Sequence, residues 1–240
     1  MGNLKMYNQL VGVGKNGRFL QFNPYKKVFN DINKKINITK QDIMLDLGGG
    51  CGEITKLISK ECNTIVLSDG AEKAIEYAKN KLEKYNNISY KIADVTKLPL
   101  PFSDNQFDKI VCYSVIQYID GARGLHDLIV DLLRITKSNG KIFIGDIPLR
   151  EKYRFNLEER KKYPIKNFLL NQKYYFKRYA IKCMHKIRKI DTTEIKGTDY
   201  TKNEIENMLN KFSNIKYKFL EQDKQLIFSN SREDLIITKF

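Results

Sequence analysis

The chain has no tryptophan, two histidines, four cysteines and five prolines in 240 residues. His126 and His185 are therefore the only imidazoles able to titrate near neutrality. Cys51, Cys62, Cys112 and Cys183 stand apart without metal-ligand spacing, so free thiols and no bound metal are expected. No apolar run approaches the roughly 20 residues that a membrane span needs. No secretory signal precedes the first motif, and the opening Met1-Gly2-Asn3 fails as a myristoylation pattern at Met6, where Ser or Thr is required. These absences make a cytoplasmic protein without a membrane span the expectation.

What is abundant is positive charge, a net +15 that is unevenly placed. Residues 1–40 set eight Lys/Arg against Asp31, and residues 150–190 set fourteen against Glu151, Glu158 and Glu159. Residues 41–149 and 191–240 are close to balanced. Two basic segments flanking a balanced core point to an anionic partner.

The core is organised around Asp42 to Thr55. Ile43 to Leu47 reads as a short buried strand, because the apolar run is brief and glycines follow it. Gly48, Gly50 and Gly52 permit a sharp turn and close approach of a ligand to the backbone. From Glu53 to Lys60 the apolar spacing becomes helical, with Ile54, Leu57 and Ile58 on one face. Strand, glycine turn and helix make a nucleotide-binding arrangement whose helix amino end presents unpaired N–H groups. Thr64 to Asp69 reads as a second strand ending in an acid. Asp69 stands about 20 residues past the glycines, where such folds place a carboxylate on ribose hydroxyls; it also suits capping of the next helix, Ala71 to Tyr85. Ile88 to Ile92 is a third strand, followed by Ala93, Asp94 and Val95. After a proline-bearing connection, Phe107 to Ser114 is a fourth strand. Leu125 to Thr136 reads as an amphipathic helix, Asn139-Gly140 as a turn, and Lys141 to Ile147 as a fifth strand. Asn23-Pro24 opens a helix to about Asn37 that carries Tyr25, Val28, Phe29, Ile32 and Ile36 on one stripe. Ile215 to Gln222 and Leu235 to Phe240 read as two late strands.

The spacing Gly48-x-Gly50-x-Gly52, with Asp46 in the preceding strand, resembles the first motif of class I S-adenosylmethionine (SAM) dependent methyltransferases. The runs LPLPFSDNQFDKIVC (98–112) and LLRITKSNGKIFIGD (132–146) resemble small-molecule members of that family. The resemblance covers about residues 40–148 and, more loosely, 200–240. It implies an α/β fold: a Rossmann-like seven-stranded sheet, mostly parallel with an antiparallel terminal strand. It implies SAM as cofactor, S-adenosylhomocysteine as product, and Asp46, Gly48, Gly50, Gly52, Asp69, Gly70, Ala93, Asp94, Val95, Tyr113 and Ser114 as cofactor-binding residues. Asp94 would meet the adenine amino group and the Val95 N–H a ring nitrogen, although Asp94 also suits a turn bonded to its own backbone.

The domain organisation expected is an amino-terminal helical cap (1–40), a SAM-binding core (41–149), a basic helical insertion between strands five and six (150–192), and the rest of the core sheet (193–240). The insertion mixes Tyr174, Tyr175, Phe176 and Tyr179 with Lys173, Lys177 and Arg178. Family insertions at this place often form a substrate lid; a solvated cover over the sheet edge is the alternative. Arg18, Tyr25, Arg150, Arg154 and Arg178 are the candidate substrate-binding residues.

Methyl transfer from a sulfonium needs alignment, exclusion of water and the handling of one proton. Asp146, directly after strand five, and His185, in the insertion, are the catalytic candidates. Asp146 equally suits a strand end, and His185 a surface position. His126, away from the strand ends, reads as structural. No Pro-Cys dipeptide occurs, and the segment after strand four, Cys112 to Ile119, lacks an Asp/Asn/Ser-Pro-Pro-aromatic motif. A DNA cytosine C5 enzyme and a DNA amino-methyltransferase are thereby disfavoured. The expected acceptor is a small anionic metabolite methylated on oxygen, such as a phosphorylated or nucleotide-linked precursor of a surface polysaccharide. An RNA methyltransferase using the basic insertion, and a non-catalytic binding subunit, remain as alternatives.

Overall fold

Alternation of short apolar strands with amphipathic helices gives a sheet covered on both faces. The computed structural model describes residues 25–152, 198–226 and 229–240. In chain order the elements are α1 (Tyr25–Ile36), β1 (Ile43–Leu47), α2 (Glu53–Ile58), β2 (Thr64–Asp69), α3 (Glu72–Leu82), β3 (Ile88–Ile92), β4 (Phe107–Tyr113), a 3-10 turn (Ile116–Tyr118), α4 (Gly121–Ile135), β5 (Thr136–Pro148), α5 (Lys202–Leu209), β6 (Ile215–Glu221) and β7 (Arg232–Lys239). The seven strands lie in the order β3-β2-β1-β4-β5-β7-β6. The first five are mutually parallel, and β7 runs antiparallel between β5 and β6. This is the seven-stranded, mostly parallel Rossmann-like sheet expected from the sequence.

Side chains alternate across the strands and sort into two cores. Leu45, Leu47, Ile110, Cys112, Ile142 and Ile144 pack with α4 and α5. Met44, Ile65, Leu67, Val111 and Phe143 pack on the opposite face with α1, α2 and α3. Each such side chain, once fully buried, contributes about 1.5–3 kcal/mol. Burial pushes the Cys112 thiol up to about 12, so it is protonated and inert at neutral pH.

Several boundaries differ from the sequence reading. Helices α2 and α3 are shorter than 53–60 and 71–85, and α4 begins four residues before Leu125, through Gly121 and Gly124. Strand β5 begins at Thr136, five residues before Lys141. The Asn139-Gly140 segment is an outward loop inside the strand, because the β4 register jumps from Phe107↔Thr136 to Lys109↔Lys141. Asn139 supplies the positive φ of 63° that the loop requires. Helix α5 was not among the sequence expectations, yet its signal is local. Thr201 and Glu204 form a capping box in which each side chain accepts the other residue's backbone N–H.

The basic insertion and the first 24 residues lie outside the described residues, apart from Arg150 to Lys152. The chain returns to the end of β5 at Tyr200, whose N–H bonds Pro148 O at 3.0 Å. The buried Tyr200 hydroxyl donates to Ile116 O and Ile119 O at 3.1 Å each. This clamps the returning chain against the 3-10 turn after β4. No helix among the described residues is long and apolar enough to cross a membrane.

Candidate functional site

Parallel β1, β2, β4 and β5 bring their carboxy-terminal ends to one edge, the place where open α/β sheets bind ligands. The glycine loop leaves β1 there. Gly48 and Gly52 both have φ of 77°, a conformation that side chains resist. Space is equally restrictive. A Cβ on Gly48 would lie 2.4 Å from Val115 Cγ2, and one on Gly52 would lie 2.5 Å from Leu82 Cδ1. The loop is tied to β2 by the N–H groups of Gly48 and Gly49, which donate to Ser68 O at 2.8 and 3.0 Å.

Asp69 closes the back of this loop. Its Oδ2 accepts the Gly50 N–H at 2.8 Å, and its Oδ1 accepts the Ala71 N–H at the same distance. Asp69 thus braces the turn before α3. Asp46 is buried on β1 and accepts the Thr55 hydroxyl at 2.6 Å, tying α2 to the sheet. Asp94 Oδ1 accepts the N–H and hydroxyl of Thr96 at 3.0 and 2.7 Å, the local turn foreseen as its alternative role. Ala93 donates its N–H to Asp69 O at 3.1 Å, so the β2 and β3 ends move as one unit. Gly70 is part-buried in the same turn, and Val95 is part-buried against the core.

The second wall consists of Tyr113, Ser114 and Asp146. Ser114 and Asp146 adopt positive φ of 59° and 63°, strained values for non-glycine residues. They are adjacent, because the Ser114 N–H donates to Gly145 O at 2.9 Å. Gln117 Nε2 donates to both the Oγ and the O of Ser114, at 2.9 and 3.0 Å. Asp146 is only 6% exposed. Its Oδ1 has no hydrogen-bond partner among the described residues. Burial pushes this carboxyl above the ordinary carboxylate range, opposed chiefly by the Arg232 guanidinium. Arg232 Nη1 donates to Asp146 O at 2.9 Å and lies 3.9 Å from Oδ2. A buried, strained carboxyl with a raised pKa at a strand end is well suited to taking or giving a proton.

Of the candidate substrate residues, Tyr25 is part-buried at the start of α1. Arg150 is held by its own chain: Nε lies 3.1 Å from Asp199 Oδ1, and Nη1 is 3.9 Å from Glu204. Arg18, Arg154, Arg178 and His185 lie outside the described residues. His126 sits on α4, stacked on Phe212 at 5.7 Å and beside Asp127. No group of three metal-ligating side chains occurs among the described residues.

Sequence reasoning missed Lys35, Gln117, Gln222, Arg232 and Asp234, which bear on Asp146 directly or through one another. Their contacts reach across as many as 199 residues of sequence. The one local signal is an acid, Asp234, at a buried position directly before the apolar run Leu235 to Ile237.

Residues 45–144 match the family model described as a methyltransferase domain. A demethylmenaquinone methyltransferase of Tropheryma whipplei is 23% identical over 111 residues, which is 46% of this chain and 44% of that protein. The chain thus spans under half the length of the curated relatives it matches first. Among solved structures, phosphoethanolamine N-methyltransferase 1 of Haemonchus contortus, in complex with phosphoethanolamine and S-adenosylhomocysteine, is similar with a TM-score of 0.67. Its identity is 12%, and the match covers 99% of this chain and 47% of that one. The N-methyltransferase NodS of Bradyrhizobium japonicum, with S-adenosylhomocysteine, gives a TM-score of 0.61 at 12% identity, covering 100% and 98%. The chain therefore carries, over residues 45–144, a methyltransferase domain on the class I S-adenosylmethionine-dependent methyltransferase fold.

Proposed function

We propose that the protein is a SAM-dependent methyltransferase acting on a small metabolite that bears a phosphoryl or other anionic group. The carrying observation is the joint geometry of the sheet edge: a glycine cradle braced by Asp69 beside the strained, buried Asp146. Gly48 and Gly52 allow the tight turn, since a Cβ there would collide with Val115 or Leu82, and the turn sets the loop at the sheet edge where a cofactor would bind. In this reading Asp69 takes the ribose hydroxyls, and Asp94 with the Val95 N–H meets the adenine. Asp46, Gly70, Ala93, Tyr113 and Ser114 shape the rest of the pocket.

SAM, when bound, supplies an electrophilic methyl group on a sulfonium. An acceptor lone pair held in line would take that methyl group, with S-adenosylhomocysteine as the leaving product. The chain's part is to hold the acceptor in line and to receive its proton. Asp146 Oδ1, which has no hydrogen-bond partner among the described residues, is the atom assigned to that proton. Because burial raises its pKa, it holds the proton better than an exposed carboxylate would. His185, in the basic insertion, is a second candidate base. Arg18, Tyr25, Arg150, Arg154 and Arg178, with the basic surplus of residues 1–40 and 150–190, are assigned to the acceptor's anionic group.

An oxygen acceptor, as on a phosphorylated or nucleotide-linked sugar of surface-polysaccharide assembly, is the first reading. A nitrogen acceptor is the second, favoured by the buried Asp146 carboxyl, which would accept an amine's N–H directly. Two structural neighbours are N-methyltransferases.

Release of S-adenosylhomocysteine across a panel of phosphorylated alcohols, sugars and amines tests both readings. Turnover confined to one acceptor class is the expected result. Absence of turnover, together with sub-micromolar RNA binding and a steep salt dependence, would replace the metabolite with RNA.

A further inference from the structure

The strand pairing between β5 and β7 slips where Asp146 sits. Ile144 pairs with Leu235 and Ile147 with Glu233, so Gly145 and Asp146 together oppose the single residue Asp234. Such a bulge re-aims a side chain and takes its residue out of the regular ladder. Here the missing ladder partner is replaced by a side chain: Asp234 Oδ1 accepts the Asp146 N–H at 2.9 Å. The carbonyl of the same residue is held by Arg232, also on β7. Both backbone groups of Asp146 are therefore fixed by side chains of one neighbouring strand.

Asp234 is 0% exposed. Its Oδ1 also accepts Gln222 Nε2 at 2.9 Å, and its Oδ2 takes the Lys35 ammonium at 2.6 Å. Lys35 reaches it from α1, where the same ammonium meets Asp31 Oδ2 at 2.8 Å. The groups around Asp234 are thus Asp31 and Lys35 from α1, Asp146 from β5, Gln222 beyond β6, and Arg232 on its own strand. Glu233 next to it faces Lys152 and Lys202 instead. An apolar residue could fill the position, as Leu235, Ile236 and Ile237 do farther along, and a buried ion pair is a weak source of stability. What an apolar residue could not do is accept the Asp146 N–H. We infer that Asp234, ion-paired with Lys35, is a positioning residue that fixes the left-handed backbone of Asp146 and so aims its carboxyl at the acceptor. The inference rests on the proposed role of Asp146 as proton acceptor and adds the device that holds it.

The test compares Lys35→Met, Asp234→Leu and Lys35→Arg with wild type. Lys109→Met serves as a control that breaks an ion pair at the other end of the sheet. Hydrogen exchange of the Asp146 amide needs no turnover. It should speed up at least tenfold in Lys35→Met and Asp234→Leu, while the amides of Ile142 to Ile144 change less than threefold. With an active acceptor, kcat should fall at least tenfold, with KM and S-adenosylhomocysteine affinity within twofold. Lys35→Arg should restore both readouts. Uniform loss of protection along β5, or normal kcat in folded variants, would overturn the positioning role. A wild-type protein that binds no S-adenosylhomocysteine would instead sink the proposed activity. The Asp146 exchange rates would still decide whether Asp234 holds that backbone.

Discussion

At the amino-terminal edge of the sheet, Asp42 accepts the Thr39 N–H at 2.6 Å and the Lys109 ammonium at 2.5 Å. Beside it, Asp108 accepts the Ile43 N–H and faces Lys137 at 2.9 Å. At the opposite edge the same residue types are arranged differently. Among the described residues, Asp146, Gln117 and Gln222 each keep a buried oxygen without a hydrogen-bond partner. Positive φ occurs at both edges, on the asparagines Asn37, Asn105 and Asn139 at the first and on Ser114 and Asp146 at the second. A buried unpaired polar group costs about 1–3 kcal/mol. Among the described residues, the unpaired polar groups named here therefore belong to the second edge. The imbalance lies where the strands end and the glycine loop begins, which is why we assign the chemistry to that edge.

The largest expected effect comes from removing the raised carboxyl. Asp146→Asn should lower kcat by about 10²–10⁴-fold, the usual worth of a positioned acid–base group, with cofactor affinity preserved. It should also raise Tm at neutral pH. The sign follows from linkage: a carboxyl whose pKa is raised in the native state favours folding below its ordinary pKa and loses that contribution as pH rises through the raised value. Thermal melts across pH, read alongside kcat, check both halves.

Gly52→Val should come next. Its positive φ and the 2.5 Å approach to Leu82 Cδ1 predict a loss of about 2–5 kcal/mol, with cofactor binding impaired in whatever still folds. Urea titration measures the first part and calorimetry the second. At the satisfied edge, Lys109→Met should cost about 3 kcal/mol by stranding Asp42, yet leave kcat of the folded enzyme within twofold. A large drop in kcat there would dissolve the distinction between the two edges. The smallest effect belongs to Asp69→Ala, which should weaken S-adenosylhomocysteine binding by about 1.5–3 kcal/mol. Affinity unchanged within twofold would remove Asp69 from the cofactor site.

Much of this architecture was legible in the chain. The starts of β1 to β4 follow from apolar runs bounded by glycine, acid or proline, and the structure keeps them. The parallel direction of the first five strands follows from the βα alternation. Elements set by a local balance read less well: α4 begins through two glycines that weaken any helix forecast, and the outward loop at Asn139 hides the start of β5 behind turn residues. The proposed cofactor wall is legible because Gly48, Gly52 and Asp69 are dictated by the backbone within 22 residues. The acceptor wall was not. Asp146 depends on Asp234, 88 residues away, and Asp234 on Lys35, 199 residues away. No periodicity encodes a pairing of that range.

The central claim is that ligand chemistry occupies the carboxy-terminal edge of the sheet and leaves the opposite edge structural. Titrating the isotope-labelled protein with S-adenosylhomocysteine, and following backbone amide shifts, tests it directly. Saturable changes should concentrate at Gly48 to Gly52, Asp69 to Ala71, Ala93 to Val95 and Ser114, with Thr39, Asp42, Lys109 and Lys137 silent. Changes centred on that second group, or none that saturate, would contradict the account.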